Sequence, residues 1–204
     1  MQKNIAPTKG NLMIAKNTLK LSQKGYEMLD KKRNILIREM MALIDEAKDV
    51  QSGIDKTFAE AYHALEIANI MMGVEGVKEH MQFVDIERNV NIRVRGVMGV
   101  EIPVVTIPDN SRELKYGIAS SSSALDEAYV KFNQVKIFAA RLAEIENAVY
   151  RLAMNIKKTQ KRTNVLKNIT IPLYTEITKQ IQISLEEKER EELTRLKIIK
   201  KTKG

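Results

Sequence analysis

The sequence has no cysteine and no tryptophan, and aromatic residues fill only 5% of its 204 positions. Without cysteine, disulfides and thiolate metal sites are excluded, and a reducing, cytoplasmic setting fits. Scarce aromatics combined with 29% charged residues suit a globular core poorly and long helices well. The composition therefore indicates a mainly helical, coiled-coil-like protein.

Long apolar runs are also missing. No stretch approaches the roughly eighteen apolar residues of a membrane span, and the lysine-rich first thirty residues lack the apolar core of a signal peptide. We expect neither membrane insertion nor a cleaved leader. Any association with a membrane should run through a partner.

Motifs for catalysis or cofactor binding are absent. His63 has Glu60 and Glu66 one helical turn away, but no second histidine or cysteine completes a metal set. Gly73 and Gly76 lack the preceding strand and the following GK[ST] of a phosphate loop, and no nucleophile motif occurs. We expect His63 to be a surface residue, and we expect no catalytic residue, cofactor, metal or directly bound nucleotide.

Charge is distributed unevenly. Residues 1–33 hold eight Lys and Arg against two acids, and residues 150–204 hold fourteen against six. Residues 34–149 hold twelve against eighteen. If the two basic ends lie together, one pole of the molecule is strongly positive and could steer docking, although such charges also simply solvate long helices.

The first long helix is predicted from a heptad seam. Pro7 and Gly10 disfavour helix before it, Thr8 or Asn11 can cap it, and Gly73 with Gly76 predict its end. A helix over residues 12–73 would be about 93 Å long, continuing through Gly25 and Gly53. The seam residues are Leu12, Ala15, Leu19, Ser22, Tyr26, Leu29, Arg33, Leu36, Met40, Leu43, Ala47, Val50 and Ile54, continued by Thr57 or Phe58, Ala61, Leu65, Ala68 and Met72.

Two seam positions are polar. Ser22 and Arg33 stand where packing favours leucine, a substitution that commonly fixes helix register at a cost in stability. With residue 12 opposite residue 196 in an antiparallel pair, Arg33 would meet Glu176. The alternative is that the guanidinium of Arg33 simply leaves the seam for water.

The middle section, residues 74–123, changes period. Apolar and polar residues alternate on both sides of Gly96 and Gly99, which predicts a β-hairpin over about residues 90–107. Pro103 restricts its strand to an edge or a bulge. Arg93 and Arg95 are predicted to point outward, either toward a partner or as protection against aggregation.

The second long helix, over residues 124–204, contains one proline and no glycine up to residue 200. Ser123 and Asp126 form a predicted capping box. From Ile169 the apolar residues recur in steps of four, which relaxes or reverses a left-handed supercoil. Pro172 should kink the helix or break its ladder locally, unless the helix ends at Thr170 and restarts. The full stripe is Ile145, Val149, Leu152, Ile156, Thr159, Thr163, Leu166, Ile169, Leu173, Ile177, Ile181, Leu185, Leu193, Leu196 and Ile199.

These elements predict a mainly α fold, with the N- and C-terminal helices forming a long antiparallel two-helix coiled coil and a small middle section holding the hairpin. A two-helix pair covers one stripe of each helix, so apolar residues off that stripe indicate further partners. We expect the apolar residues that face such partners to be Ile37, Ile44, Phe132, Phe138 and Leu142.

Several stretches resemble the D subunit of the V-type and archaeal A-type rotary ATPases, the central stalk. They are the amino-terminal PTKGNL, the helical GYEMLDKKRNIL, the hairpin NVNIRVRGVMGVEIPVV and, most specifically, TNVLKNITIP with EEKEREELTRLK. The resemblance covers nearly the whole chain. It constrains residues 107–119 least.

The resemblance implies a non-catalytic axle that transmits torque between ATP turnover in a hexamer of A and B subunits and ion movement in a membrane ring. The implied partners are that hexamer, a small F subunit and a funnel-shaped foot subunit, at a cytoplasmic, peripheral location. Implied contacts with the A/B ring are Lys3, Lys9, Lys161, Arg162, Arg190, Lys197, Lys200 and Lys201. Implied contacts with the F subunit or the foot are Arg93, Arg95, Ile37, Ile44, Phe132 and Phe138.

Two other classes stay open from the residues alone. A prefoldin-like chaperone also joins antiparallel helices through hairpins, but its helix tips expose apolar residues, whereas these tips are rich in lysine. A coiled coil that binds nucleic acid would explain the basic ends, but stacking aromatics are scarce there and the middle is acidic.

Overall fold

The computed structural model describes residues 6–84, 89–108 and 121–202. In chain order the elements are helix α1, strands β1 and β2, helix α2, a π-helical turn and helix α3. Their bounds are Lys9–Met81, Asn91–Val97, Val100–Thr106, Ser123–Val165, Leu166–Thr170 and Ile171–Thr202. The predicted mainly α fold with a small hairpin is confirmed.

The chain divides into two compact units. The first unit holds Met1–Asn34 with Ile156–Gly204, and the second holds Ile35–Asn155. In the first unit Lys9 pairs with Glu189 and Arg33 with Gln160. In the second unit Glu46 pairs with Arg141, and Gly53 faces Phe138. Partner numbers fall as α1 numbers rise, so within each unit the helices run antiparallel, as predicted.

The predicted seam of α1 is confirmed along its length. All of its residues from Leu12 to Met72 are buried or half-buried. The helix begins where Thr8 caps it, since the Asn11 N–H donates to Thr8 Oγ1 at 3.2 Å. Heptad periodicity therefore selected the packed face correctly.

Gly25 and Gly53 lie inside α1, as expected from the unbroken seam. A Cβ added at Gly25 would lie 3.9 Å from Leu166 Cδ1, and one at Gly53 would lie 3.9 Å from Phe138 Cζ. Both distances are ordinary van der Waals contacts. Neither glycine is required by close packing.

The predicted break at Gly73 is confirmed, but the prediction that the helix ends by Gly76 is wrong. Gly73 has φ 77° and ψ 153°, which interrupts the helical backbone, but the helix resumes and continues to Met81. The continuation has a core of its own, because Val77 is buried with Ala68, Ala124 and Leu125. Burial of Val77 stabilises the helical segment that resumes after the break at Gly73.

The start of α2 differs by one residue from the predicted capping box. Ser122, rather than Ser123, is the cap, because the Leu125 N–H donates to Ser122 Oγ at 3.3 Å. Ser123 is the first helical residue. In a run of four serines the sequence marks the helix start without selecting the residue that caps it.

The backbone adapts to Pro172 through the π-helical turn before it. The Ile171 N–H donates to the carbonyl of Leu166, five residues back, and both Val165 and Ile171 keep helical φ and ψ. A wider turn relieves the clash between a proline ring and the carbonyl four residues earlier. The α-helical ladder is thus locally replaced, and the alternative that the helix ends at Thr170 is wrong.

This turn also shifts the packed stripe. Ile169 and Leu173 are 60% and 47% exposed, whereas Thr170 and Tyr174 are half-buried. The first two residues of the part of the predicted stripe that recurs in steps of four, Ile169 and Leu173, are therefore wrong. The π turn inserts an extra residue, which rotates the following residues and moves Thr170 and Tyr174 onto the packed face. Ile177, Ile181 and Leu185 return to the packed face, while Leu193, Leu196 and Ile199 are exposed.

Candidate partner-binding interfaces

Glu144 fastens the hairpin to the helices of the second unit. Its side chain is only 8% exposed; it accepts a hydrogen bond from the Val105 N–H at 2.9 Å and pairs with Arg141. Arg141 Nε in turn donates to Glu46 on α1 at 3.0 Å. The hydrogen bond to Glu46 raises the pKa of Arg141, which stays charged. We name Glu46, Arg141 and Glu144 the hairpin anchor.

The outer edge of β2 is closed by this contact and a second one. Arg151 Nη1 donates to the Glu101 carbonyl at 3.1 Å, while the Val105 N–H reaches Glu144. Pro103 lies between them and has no N–H to satisfy. The prediction that Pro103 occupies an edge is confirmed.

Arg93 and Arg95 are exposed, as predicted, but the register places them on the packed face of the hairpin rather than on its outer face. The register pairs Arg93 with Val104 and Arg95 with Ile102, and Ile102 is buried. Cross-strand partners share a face, so both arginines lie on the face that also holds the buried residues. Arg95 Nη2 pairs with Glu39 of α1 at 3.2 Å, and the Arg93 side chain stays exposed.

The five apolar residues predicted to face partners are half-buried within the second unit instead. Phe138 faces Gly53, and the ring of Phe132 meets Tyr62 edge-on at 5.6 Å. Their expected exposure is therefore wrong, because the packed stripe is wider than a strict heptad seam. The five residues are Ile37, Ile44, Phe132, Phe138 and Leu142.

Exposed apolar residues that sequence reasoning missed lie near the end of α1. Ile67, Ile70, Met71 and Val74 are exposed, and Ile70 reaches 83%. Their spacing of three and four was visible in the sequence but is out of phase with the seam. A cavity of about 270 Å³ lies nearby, lined by Leu65, His80, Met81, Val84, Leu125, Ala128, Tyr129 and Phe132.

The first unit has a polar seam. Ser22 is buried and its hydroxyl donates to the Thr18 carbonyl at 2.8 Å, while Thr159 and Thr163 are buried on the facing helix. Each hydroxyl bonded to its own helix is satisfied without a partner across the seam. Ser22 therefore needs no matching polar group on the opposite helix.

Arg33 does not contact Glu176, and this prediction is wrong. Arg33 donates to Gln160 Oε1 at 2.9 Å and pairs with Asp30 at 2.6 Å. The assumed register was at fault, since residue 33 lies against residue 160 rather than 175. The alternative of a guanidinium released into water is also wrong, because the Arg33 side chain is 23% exposed and held by these partners.

The first unit collects the positive charge. It holds twenty-one Lys and Arg against eight acids, a net charge of +13, whereas the second unit holds thirteen against eighteen, a net charge of −5. Lys9 pairs with Glu189 at 3.0 Å, and this hydrogen bond raises the pKa of Lys9. Lys3 lies outside the described residues. The remaining predicted ring contacts are exposed: Lys161, Arg162, Arg190, Lys197, Lys200 and Lys201.

Exposed apolar residues stand among these lysines. Leu193, Leu196, Ile198 and Ile199 are each more than half exposed. Lysine content at the tip therefore does not by itself argue against a chaperone.

Residues 6–84, 89–108 and 121–202 hold neither a candidate metal site nor a candidate membrane span. Within these ranges no three His, Cys, Asp or Glu side chains gather in a possible metal site, and His63 is exposed as predicted. None of the helices described there combines the length and the hydropathy needed to cross a bilayer.

Comparison with known proteins decides the family. A family model described as the D subunit of ATP synthase matches residues 11–201. The chain belongs to the family of ATP synthase D subunits. A V-type ATP synthase D subunit of Thermotoga neapolitana is 45% identical over 97% of each chain. The A-type ATP synthase D subunit of Pyrococcus furiosus is 37% identical over 96% of this chain and 93% of its own.

The resemblance carried by the PTKGNL and TNVLKNITIP stretches is thus confirmed. The A-type ATP synthase D subunit of Methanobrevibacter smithii extends it, at 36% identity over 97% of this chain and 87% of its own. Membership in the family of D subunits, rather than the composition of the helix tips, separates the chain from a prefoldin-like chaperone and from a nucleic-acid-binding coiled coil.

Proposed function

We propose that this chain is the central-stalk subunit of a V- or A-type rotary ATPase. It would act as an axle that transmits torque between ATP turnover in the A/B hexamer and proton or sodium movement in the membrane ring. It would be non-catalytic alone, cytoplasmic, and membrane-associated only through the complex. The observation that carries the proposal is the nearly full-length match to a D subunit at 45% identity.

Antiparallel pairing in each unit supports an axle. In the second unit Glu46, Gly53 and Glu60 of α1 face Arg141, Phe138 and Lys131 of α2 in order. Sliding one helix along the other would have to break these contacts together. Such a pair resists shear, which torque transmission requires.

The charge distribution supports an orientation in which the first unit lies against the A/B ring. A first unit of net charge +13 favours placing Lys9, Lys161, Arg162, Arg190, Lys197, Lys200 and Lys201 against the A/B ring. An asymmetric axle can favour different nucleotide states at otherwise equivalent sites through differential contact. The chain would then bias nucleotide binding without holding nucleotide.

The second unit supports contacts with the F subunit or the foot. The hairpin, with Arg93 and Arg95, is one part of that surface. The half-buried Ile37, Ile44, Phe132 and Phe138 would then shape the helices beneath it rather than meet the partner through broad exposed areas. The exposed Ile67, Ile70 and Met71, together with Val74 beyond the break at Gly73, add apolar area on the same unit.

Deleting residues 90–107 tests this division of roles. We expect the shortened chain to bind the A/B hexamer but to stimulate its ATPase or coupled turnover less, because the hairpin surface is lost. Met98→Asn is the control, because it changes the turn between β1 and β2 but keeps the hairpin. Asn-Gly suits the positive φ of residues 98 and 99. Unchanged coupled turnover would reject the role of the hairpin, and failure of the intact chain to bind any A/B hexamer would reject the central-stalk proposal.

A further inference from the structure

The outer face of the hairpin is mostly apolar, with Glu101 as its one charged residue. The register pairs Ile92 with Val105 and Val94 with Pro103, on the opposite face from Arg93 and Arg95. Ile92 and Val94 are 64% and 61% exposed, whereas a solvated strand normally places its charges there. This face is arranged for contact rather than for water.

The two edges of the hairpin differ. In an antiparallel pair, alternate residues turn their N–H and C=O groups away from the partner strand. On β2 these are Glu101, Pro103 and Val105, and that edge is closed by Arg151 and Glu144. On β1 they are the residues opposite, Ile92, Val94 and Gly96.

The β1 edge is open in the described part of the chain. Ile92, Val94 and Gly96 are exposed, and no described residue bonds to their outward backbone groups. Arg93, beside them, makes no ion pair with any described residue, whereas Arg95 is engaged by Glu39. Among the described residues, the edge thus combines open backbone groups, apolar side chains and one positive charge without a counter-ion.

We infer that β1 accepts an extended strand of a partner protein by strand addition. Only extended backbone presents N–H and C=O groups at the two-residue spacing of Ile92, Val94 and Gly96, because a helix uses its own groups internally. The added strand carries apolar residues opposite Ile92 and Val94 and an acidic residue opposite Arg93. This inference rests on the proposed function, which supplies a protein assembly as the setting.

A second copy of the chain fits this edge poorly. Two β1 strands paired antiparallel about Val94 would place Arg93 of each copy opposite Arg95 of the other. Like charges directly opposite one another destabilise a strand pair. The occupant is therefore a different chain.

Amide hydrogen exchange at single-residue resolution tests the inference. In the isolated chain the amides of Ile92, Val94 and Gly96 should exchange fast, while those of Arg93, Arg95 and Val97, which bond within the hairpin, exchange slowly. In the native complex purified through a tag on this chain, the three fast amides should slow by tenfold or more.

The outcomes separate the two proposals. A complex that turns over ATP while these three amides exchange as in the free chain would overturn strand addition and leave the central-stalk proposal standing. Recovery of the chain without any ATPase subunits would overturn the central-stalk proposal. Protection in a homodimer of the isolated chain would replace the partner with a second copy and contradict the inference.

Val94→Pro provides a second readout. It removes an edge N–H that the hairpin ladder does not use, so it should weaken capture of the partner about tenfold or more and leave β1–β2 pairing intact. Val94→Thr keeps the N–H and should cost less. Equal retention of the partner by both variants would contradict strand addition, provided that slow exchange at Arg95 and Val97 shows the hairpin folded.

Discussion

At the scale of single residues, Glu144 is the side chain that sequence reasoning missed. In the sequence it resembles its neighbour Glu146, yet Glu144 is buried between Arg141 and the hairpin while Glu146 is exposed. A buried carboxylate is stable only when it is paired and hydrogen-bonded, and both conditions are met here. Its role depends on a strand about forty residues away in sequence, which no helical pattern reveals.

Glu144→Gln should loosen the hairpin. The amide keeps an acceptor but removes the charge that faces Arg141, so we expect the free energy of unfolding to fall by about 1–3 kcal/mol. Thermal unfolding and amide exchange at Val105 measure the effect. Glu146 is exposed, so Glu146→Gln should change the free energy of unfolding by less than about 0.5 kcal/mol. Equal effects of the two variants would contradict the role of Glu144 in the hairpin anchor.

Two glycines of α1 should respond oppositely to alanine. Gly53→Ala should raise the free energy of unfolding by about 0.5–1 kcal/mol, because its Cβ meets Phe138 at an ordinary distance and the unfolded chain loses freedom. Gly73→Ala should lower it by about 1–3 kcal/mol, because φ 77° and ψ 153° lie in a region that is open essentially only to glycine. Melting temperatures that shift with the same sign for both variants would contradict these backbone assignments.

At the scale of elements, the α1 seam was predictable because heptad periodicity is local, and Leu12 to Met72 obey it without exception. The helix register was not predictable. A seam repeats every seven residues, so helices displaced by whole heptads present similar stripes. Arg33 was predicted to meet Glu176 and lies against Gln160, a displacement of about two heptads.

The π turn shows a second limit at this scale. Pro172 predicts that the helix is distorted, but a kink, a break or a widened turn can each accommodate the hydrogen bond that proline removes. Which of the three occurs depends on how the stretch packs against the facing helix. In this structure Thr170 and Tyr174 are on the packed face, and Ile169 and Leu173 are exposed. The exposed Ile169 and Leu173 follow from that choice.

Pro172→Ala should stabilise the chain. Alanine restores the missing N–H and removes the ring clash, so we expect the free energy of unfolding to rise by up to about 3 kcal/mol. The exposed Lys179→Ala on the same helix is the control for helix propensity. A melting temperature unchanged by Pro172→Ala would mean that packing, and not the proline, holds the π turn.

At the scale of the whole molecule, sequence reasoning anticipated antiparallel pairing, basic helix ends and exposed arginines on the hairpin, but it did not identify which face of the hairpin packs. Alternation along β1 identifies two faces without saying which one packs. Arg95 turns toward Glu39, and Ile92 and Val94 remain outside. Which face of the hairpin packs depends on the helices that it lies against, so alternation along β1 alone could not predict it.

Reversing the charge of the basic end should weaken assembly. We expect Lys197, Lys200 and Lys201 changed to Glu to reduce binding to the A/B hexamer about tenfold or more at low salt, with a smaller difference at high salt. The same triple change at Lys48, Lys56 and Lys78 of the acidic second unit is the matched control. Undiminished, salt-independent assembly would count against insertion of the basic end into the ring.

Rotation within the immobilised complex tests the central claim most directly. The chain has no cysteine, so Lys56→Cys at an exposed position gives it a single thiol for an optical probe. With the A/B hexamer fixed to a surface and ATP supplied, we predict stepwise, unidirectional rotation of the probe. A probe that stays fixed to the hexamer while ATP is hydrolysed would contradict the central-stalk proposal.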